Sequence, residues 1–198
     1  MFSILDANYN KNMMFCRRHY LQLATRYNSS VSTSNRFTTT INTPDKNPST
    51  TVEFGPNIIE KEFQIFYETS KSYGLCNTSP ILPGHVLVCP KLKIQHVEDL
   101  PSEDLQDLML AVQTVSTALK KHYNADALTI NCQDGVAAGQ TVPHIHFHIL
   151  PRKFGDFKDK GEVYKKLRVH DKVEKHELKR RTLEEMESEA IEFRKLFE

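Results

Sequence analysis

The chain has no tryptophan and, in 198 residues, only four cysteines and seven glycines; charge of neither sign dominates, with a formal net of +1. The cysteines, Cys16, Cys76, Cys89 and Cys132, lie far apart, with no C-x-x-C pair and no companion histidine spacing. That excludes a zinc-finger module and a disulfide framework. Cys89 and Cys132 sit in apolar runs, where a free cysteine packs as a small hydrophobe, so the expectation is an intracellular protein with reduced thiols. No run approaches the roughly 18 apolar residues of a membrane span. Near-neutral charge removes any global steering towards nucleic acid or anionic lipid, and neither is expected as a partner. Internal repeats are also missing.

What charge there is has an uneven distribution. Residues 1–52 carry six basic residues against two acidic ones, a net of +4, and the remainder carries −3. No acid occurs from Ala7 to Pro44, while Arg17, Arg18, Arg26 and Arg36 are spaced among Ser, Thr and Asn. This is the composition of a mitochondrial transit peptide, and Met14 to Leu23 can form a short amphipathic helix; the alternative is a disordered tail. Met13 and Met14 permit a shorter start. A cytoplasmic location, a mitochondrial one, or both are therefore compatible with the sequence. Ser29 to Thr51 has too few apolar residues to offset its ordering entropy and reads as a flexible linker. Residues 1–51 are thus expected to lie outside the folded domain, which spans 52–198.

Within that domain, Phe63 to Glu68, Tyr73 to Asn77 and His85 to Cys89 are aromatic and β-branched runs bounded by turn formers, and they predict three strands. Pro101 suits a helix start, and Leu105, Leu108, Met109, Val112, Val115 and Leu119 recur at helical spacing up to Lys120, Lys121 and His122. Ala127 to Gln133 and His144 to Leu150 predict two further strands, joined by a loop containing Gly135 and Gly139. Thr182 followed by Glu185 forms a capping box for a C-terminal helix with Leu183, Met186, Ala190, Phe193 and Phe197 on its apolar face. The charge-dense stretch Lys158 to Arg181, anchored only by Val163, Tyr164, Leu167, Val169, Val173 and Leu178, is expected to be mobile in part. The order β-β-β-α-β-β predicts an α+β domain: an antiparallel sheet of about five strands, with a long helix and a C-terminal helix on one face.

The chemistry concentrates at His144-Ile145-His146-Phe147-His148. On an extended strand successive side chains alternate faces, so the three imidazoles share one face and Ile145, Phe147 and Ile149 share the other. Three histidines in strict alternation beside a glycine loop exceed what surface or core packing calls for. Two functions fit. One is a zinc site, but His144 and His148 lie roughly 13 Å apart along a strand of about 3.3 Å per residue, too far for one ion at about 2.1 Å bonds unless the backbone bends sharply. The other is nucleophilic catalysis at phosphorus by a neutral imidazole, whose pKa of about 6.5 leaves much of it unprotonated at neutral pH. Gly135 and Gly139 then let backbone N–H groups approach phosphate oxygens, with Gln140 and Thr141 as further donors.

His144 to Leu150 resembles the histidine-triad pattern, histidines alternating with hydrophobic residues and ending in two hydrophobics. Gln133-Asp134-Gly135, Ala138 to Val142, Leu150-Pro151-Arg152-Lys153, Gly155-Asp156-Phe157, Asn77, Pro80 and Pro83 to Val88 resemble the fragile-histidine-triad branch, the dinucleoside triphosphate hydrolases. The similarity covers Val52 to Tyr164 and resumes at the C-terminal helix. The resemblance implies His146 as the transiently nucleotidylated nucleophile, His148 as partner of the bridging or leaving oxygen, and His144 and His85 as supports of the cluster. It implies Asn77 at the ribose, and Gln133, Gly139, Gln140, Thr141 and Val142 around the phosphates and nucleoside, with Tyr164 near the substrate. It further implies a homodimer with a continuous sheet, no protein-held metal, and a divalent cation, Mg2+ or Mn2+, carried with the polyphosphate. Asn57 departs from the pattern where some relatives place a nucleoside-contacting histidine. So does Pro143, just before the triad.

Leu150-Pro151-Arg152 differs from the Gly-Gly-Arg of the purine-nucleoside phosphoramidase branch, and His148 stands where the transferase branch has glutamine. A nucleotide-binding signalling module, its bound complex being the output, is the reading from another class.

Overall fold

The computed structural model describes residues 49–170 and 180–198. The basic stretch around Met14 to Leu23, most of the expected linker, and the anchors Val173 and Leu178 lie outside the described residues. The elements run β1 (Thr51–Phe54), β2 (Asn57–Glu60), a one-turn α1 (Lys61–Gln64), β3 (Ile65–Glu68), β4 (Ser72–Cys76), β5 (Val86–Pro90), α2 (Ser102–His122), β6 (Ala127–Cys132), β7 (Phe147–Arg152), α3 (Glu162–His170) and α4 (Leu183–Arg194). The five strands β3 to β7 form one sheet in the order β3-β4-β5-β7-β6, and every pair in it is antiparallel.

Alternation along these strands divides the apolar side chains between two faces. On one, Val86, Val88 and Ile149 pack with Leu108, Ala111, Val112, Val115 and Leu119 of α2 and Met186, Ala190 and Phe193 of α4. The expected stripe of α2 is therefore buried from Leu108 to Leu119, with Leu105 half-buried at its start, apart from Met109, which is exposed. The capping box of α4 is complete: Glu185 N–H donates to Thr182 Oγ1 at 3.2 Å, and Thr182 N–H donates to Glu185 Oε2 at 2.9 Å. Leu183, outside the buried face, is exposed.

The helices were expected on one face only, and the opposite face is also covered, in two places. β1 and β2 pair as an antiparallel hairpin that lays Phe54 and Ile59 over Ile65, Tyr73, Leu75, Leu87 and Cys89. An isolated hairpin is marginal in water, and burying two large side chains at about 1.5–3 kcal/mol each is what holds this one down. Farther along, α3 packs Val163 and Leu167 on Leu150. Helices consequently lie on both faces, and part of the stretch expected to be mobile is ordered. Val163 and Leu167 are only two apolar residues in a charged run, but their i, i+4 spacing matches a hydrophobic strand position that the sequence does not place beside them. The hairpin has little sequence signal because its strands have four residues each and adjoin the polar linker; Thr51, assigned to that linker, begins β1.

The triad segment also differs from expectation. β7 begins at Phe147, so of the three histidines only His148 lies in a strand. The backbone before it turns away from the sheet, and Ile145 N–H bonds to Ile94 O at 2.8 Å.

Candidate active site

The site sits on the hairpin-covered face, between the hairpin and α3. His148 is opposite Leu87 on β5 and Asn131 on β6, and His85 immediately precedes β5. His85, His144, His146 and His148 are all nearly fully buried. The rings of His146 and His148 lie 5.0 Å apart, those of His85 and His148 5.3 Å, and Phe54 meets His146 edge-on at 5.2 Å. The expected alternation survives the departure from strand geometry: Ile145 and Ile149 enter the core on the helix side.

Hydrogen bonds assign a tautomer to each imidazole. His146 Nδ1 lies 2.7 Å from the His144 carbonyl, which only accepts, so Nδ1 carries the proton and the lone pair of the neutral ring is on Nε2. Ile81 N–H donates to His85 Nδ1 at 3.1 Å, which puts the proton of His85 on Nε2, 3.0 Å from His148 Nδ1. His148 therefore accepts at Nδ1 and holds its own proton on Nε2. Asn77 Nδ2 stands 3.3 Å from the same His85 nitrogen; as both groups bear hydrogens, this is a contact, and the amide is oriented by Ser79 N–H donating to Asn77 Oδ1 at 2.9 Å.

His144 differs from its neighbours. Gly55 N–H donates to its Nδ1 at 3.1 Å, and its Nε2–H donates to Pro90 O at 2.9 Å. Both nitrogens are engaged with backbone, so the ring ties the hairpin turn to the end of β5. Burial, the largest influence, holds its pKa below the ordinary histidine value, against the pull of the Pro90 carbonyl. Protonation is then easier in the unfolded chain, so stability falls as pH drops below about 6.5. Chemical denaturation from pH 8 to pH 5 is expected to show this decline, and His144→Gln to flatten it while lowering stability at pH 8. An unchanged slope in the variant would assign the decline to other groups.

The loop before the triad is held by its own side chains. Gln140 Oε1 accepts from Gly135 N–H at 3.1 Å, and its Nε2 donates to Gln95 O at 3.0 Å. Gln133 Nε2 donates to Ala138 O at 3.1 Å, while Gln133 Oε1 is buried without a hydrogen-bond partner among the described residues. Gly139 has φ +102°, and a Cβ there would stand 2.6 Å from Gln133 Nε2, so the loop closes only on glycine. Thr141 is exposed and Val142 half-buried against Phe54 and its neighbours.

Three participants were not anticipated. His96 Nδ1 and Asp134 Oδ1 are 2.6 Å apart and Val97 N–H donates to Asp134 Oδ2 at 3.1 Å, anchoring the loop to the strap after β5. Phe54 arrives with the unforeseen hairpin, and nothing in the sequence marks His96. Cys132 borders the site, accepting from the His146 backbone N–H, but burial pushes its thiol up to about 11, which leaves it protonated at neutral pH and a poor competitor as nucleophile. Tyr164, expected near the substrate, is an exposed residue of α3. It lines a cavity of about 840 Å³ with Thr129, Arg152 and Phe157, and none of the four histidines borders it. Asn57 donates to Phe54 O at 3.1 Å and closes its own hairpin turn.

A buried imidazole cluster on an antiparallel sheet, entered by a glycine loop, defines a histidine-triad protein, and residues 59–155 match the HIT domain. The chain belongs to this family. It is similar to a bis(5'-adenosyl)-triphosphatase of Dictyostelium discoideum, 46% identical over 75% of this chain and 95% of that protein. It is also similar to a bifunctional bis(5'-adenosyl)-triphosphatase/adenylylsulfatase of Arabidopsis thaliana, 43% identical over 73% of this chain and 83% of that one. Among solved structures, the Plasmodium falciparum diadenosine triphosphate hydrolase in complex with cyclomarin A superposes with a TM-score of 0.60 at 33% identity, covering 76% of this chain and 86% of that one.

Proposed function

We propose that the protein hydrolyses dinucleoside polyphosphates, diadenosine triphosphate giving AMP and ADP, through a nucleotidyl-histidine on His146. The observation that carries this is the tautomer pattern: His146 presents a lone pair at Nε2 while His148 presents a proton at Nε2, and the two rings are 5.0 Å apart. Attack by His146 Nε2 on the α-phosphorus forms the P–N bond as the bond to the bridging oxygen breaks. His148 Nε2–H donates a hydrogen bond to the bridging oxygen as charge develops on it, and ADP departs as the anion. Water then cleaves the P–N bond, its oxygen bonding to phosphorus and its proton passing to solvent, which releases AMP and restores neutral His146. Asn77 is assigned to the ribose. The buried Oε1 of Gln133 and the backbone N–H groups around Gly139, Gln140, Thr141 and Val142 are assigned to the nucleoside and phosphates. The identities of 46% and 43% to proteins bearing the triphosphatase name support the substrate class.

A divalent cation, Mg2+ or Mn2+, enters as part of the polyphosphate substrate in this reading. His144 has both nitrogens engaged with backbone, and the two nitrogens of His85 are engaged with Ile81 and His148, so these rings are committed elsewhere than to a metal. A homodimer is proposed through β6, an edge strand on which Ile130 is 47% exposed. Sedimentation is expected to give a dimer, and Ile130→Glu a monomer.

The test of function is product analysis with magnesium on dinucleoside polyphosphates of graded length beside an adenosine phosphoramidate. Diadenosine triphosphate is expected to turn over fastest and to give equal AMP and ADP. Preference for the phosphoramidate would move the protein to the other hydrolase branch, and tight binding with negligible turnover would make it a binding module. Chelation is expected to stop turnover, with magnesium or manganese restoring it.

A further inference from the structure

The C-terminal helix packs on the sheet face opposite the histidines, yet the residue just before its cap reaches the segment that leaves β4 for the active site. Arg181 Nε donates to Asn77 O at 3.0 Å, Nη2 donates to the same carbonyl, and Arg181 N–H donates to Thr78 O at 2.8 Å. The guanidinium is held from behind by Glu189 of α4, with Nη2 to Oε2 at 2.7 Å. These two side chains are 17% and 14% exposed, so the pair is largely withdrawn from solvent. Glu189 also meets the thiol of Cys76, the last residue of β4. Helix and strand end are therefore pinned together on both sides of Asn77.

Such a grip exceeds what docking a helix requires. The apolar face of α4 already buries Met186, Ala190 and Phe193, worth several kcal/mol in total. Arg181 adds directionality: three donors aimed at two successive carbonyls fix the peptide planes on either side of Thr78. Asn77, whose carbonyl receives two of those bonds, has its side chain in contact with His85, and His85 donates to His148.

We propose that Arg181, backed by Glu189, is a positioning residue for nucleotide binding, making the C-terminal helix part of the active site by setting the orientation of Asn77. This rests on the assignment of Asn77 to the ribose. Loosening the carbonyl lets the Asn77 side chain sample orientations that miss the sugar, so binding suffers while the chemistry on His146 and His148 continues.

The test is a double-mutant cycle on the full chain, reading kcat and KM for diadenosine triphosphate, the Kd of AMP by calorimetry, and melting temperature. Arg181→Gln is expected to raise KM and the AMP Kd about ten-fold with kcat within about two-fold, a size in line with loss of one charge-assisted hydrogen bond. Glu189→Gln is expected to act in the same direction with a smaller effect, and Arg181→Lys to recover part of the loss. In an Asn77→Ala background, Arg181→Gln is expected to change the AMP Kd less than two-fold. If Asn77→Ala weakens AMP but Arg181→Gln lowers only the melting temperature, or adds its full effect in that background, Arg181 is a structural residue and the proposal fails. If Asn77→Ala leaves AMP binding unchanged, the ribose assignment fails with it. Should Arg181→Gln not fold, Arg181→Lys and Glu189→Gln in both backgrounds decide by the same criterion.

Discussion

His146→Ala is expected to lose turnover of diadenosine triphosphate by at least four orders of magnitude while binding it within a few-fold of wild type. The size follows from what is removed. A nucleophile cannot be replaced by its neighbours, and deleting the one on which a covalent intermediate forms costs a serine protease about 10⁶ in kcat. His148 does not substitute, because its Nε2 bears the proton that the His85 contact assigns to it. Cys132 does not either, with its thiol held protonated. Binding persists because Asn77, Gln133 and the loop around Gly139 do not depend on the His146 ring for their positions. Quenched-flow of the wild type is expected to trap a nucleotide on histidine that is absent from the variant. Turnover retained within a hundred-fold would remove His146 from the mechanism.

Gly55→Ala is expected to be the most damaging single methyl group, lowering stability by about 2–5 kcal/mol. Gly55 has φ +57°, and a Cβ there would lie 2.6 Å from Val142 Cγ1. The backbone strain contributes about 1–2 kcal/mol and the collision about 1–3 kcal/mol. Because Gly55 N–H donates to His144 Nδ1, and the His144 carbonyl in turn orients His146, activity is expected to fall together with stability. Val142→Ala in the same chain separates the two terms: it relieves the collision and leaves the strain. Urea unfolding is expected to show about half the loss recovered. A Gly55→Ala protein as stable and active as wild type would mean that the hairpin turn is dispensable to the site.

The expected β-β-β-α-β-β order, the stripe along α2 and the capping box before α4 were all legible locally, because each depends on periodicity within one segment or on neighbours three and four residues apart. The hairpin and α3 were not. Each has too little apolar surface to be stable alone, and its stability comes from Leu75 and Leu87 in one case and Leu150 in the other, residues distant in sequence. The same distinction holds inside the site. Gln133, Gly139 and the three histidines carried their own signal, whereas Phe54, His96 and Arg181 reach it only by way of the tertiary fold.

For the triad itself, alternation in His144-Ile145-His146-Phe147-His148 was enough to establish that the imidazoles share a side opposite Ile145 and Ile149, and the motif was enough to establish the family. What distinguishes the three rings was decided by tertiary contacts. His144 is committed to Gly55 and Pro90, His146 is turned by a carbonyl two residues away, and His148 accepts a hydrogen bond from His85, just before β5. The physical reason is that an imidazole is amphoteric, either nitrogen able to donate or accept, so its role is set by its partners rather than by its own position in the chain.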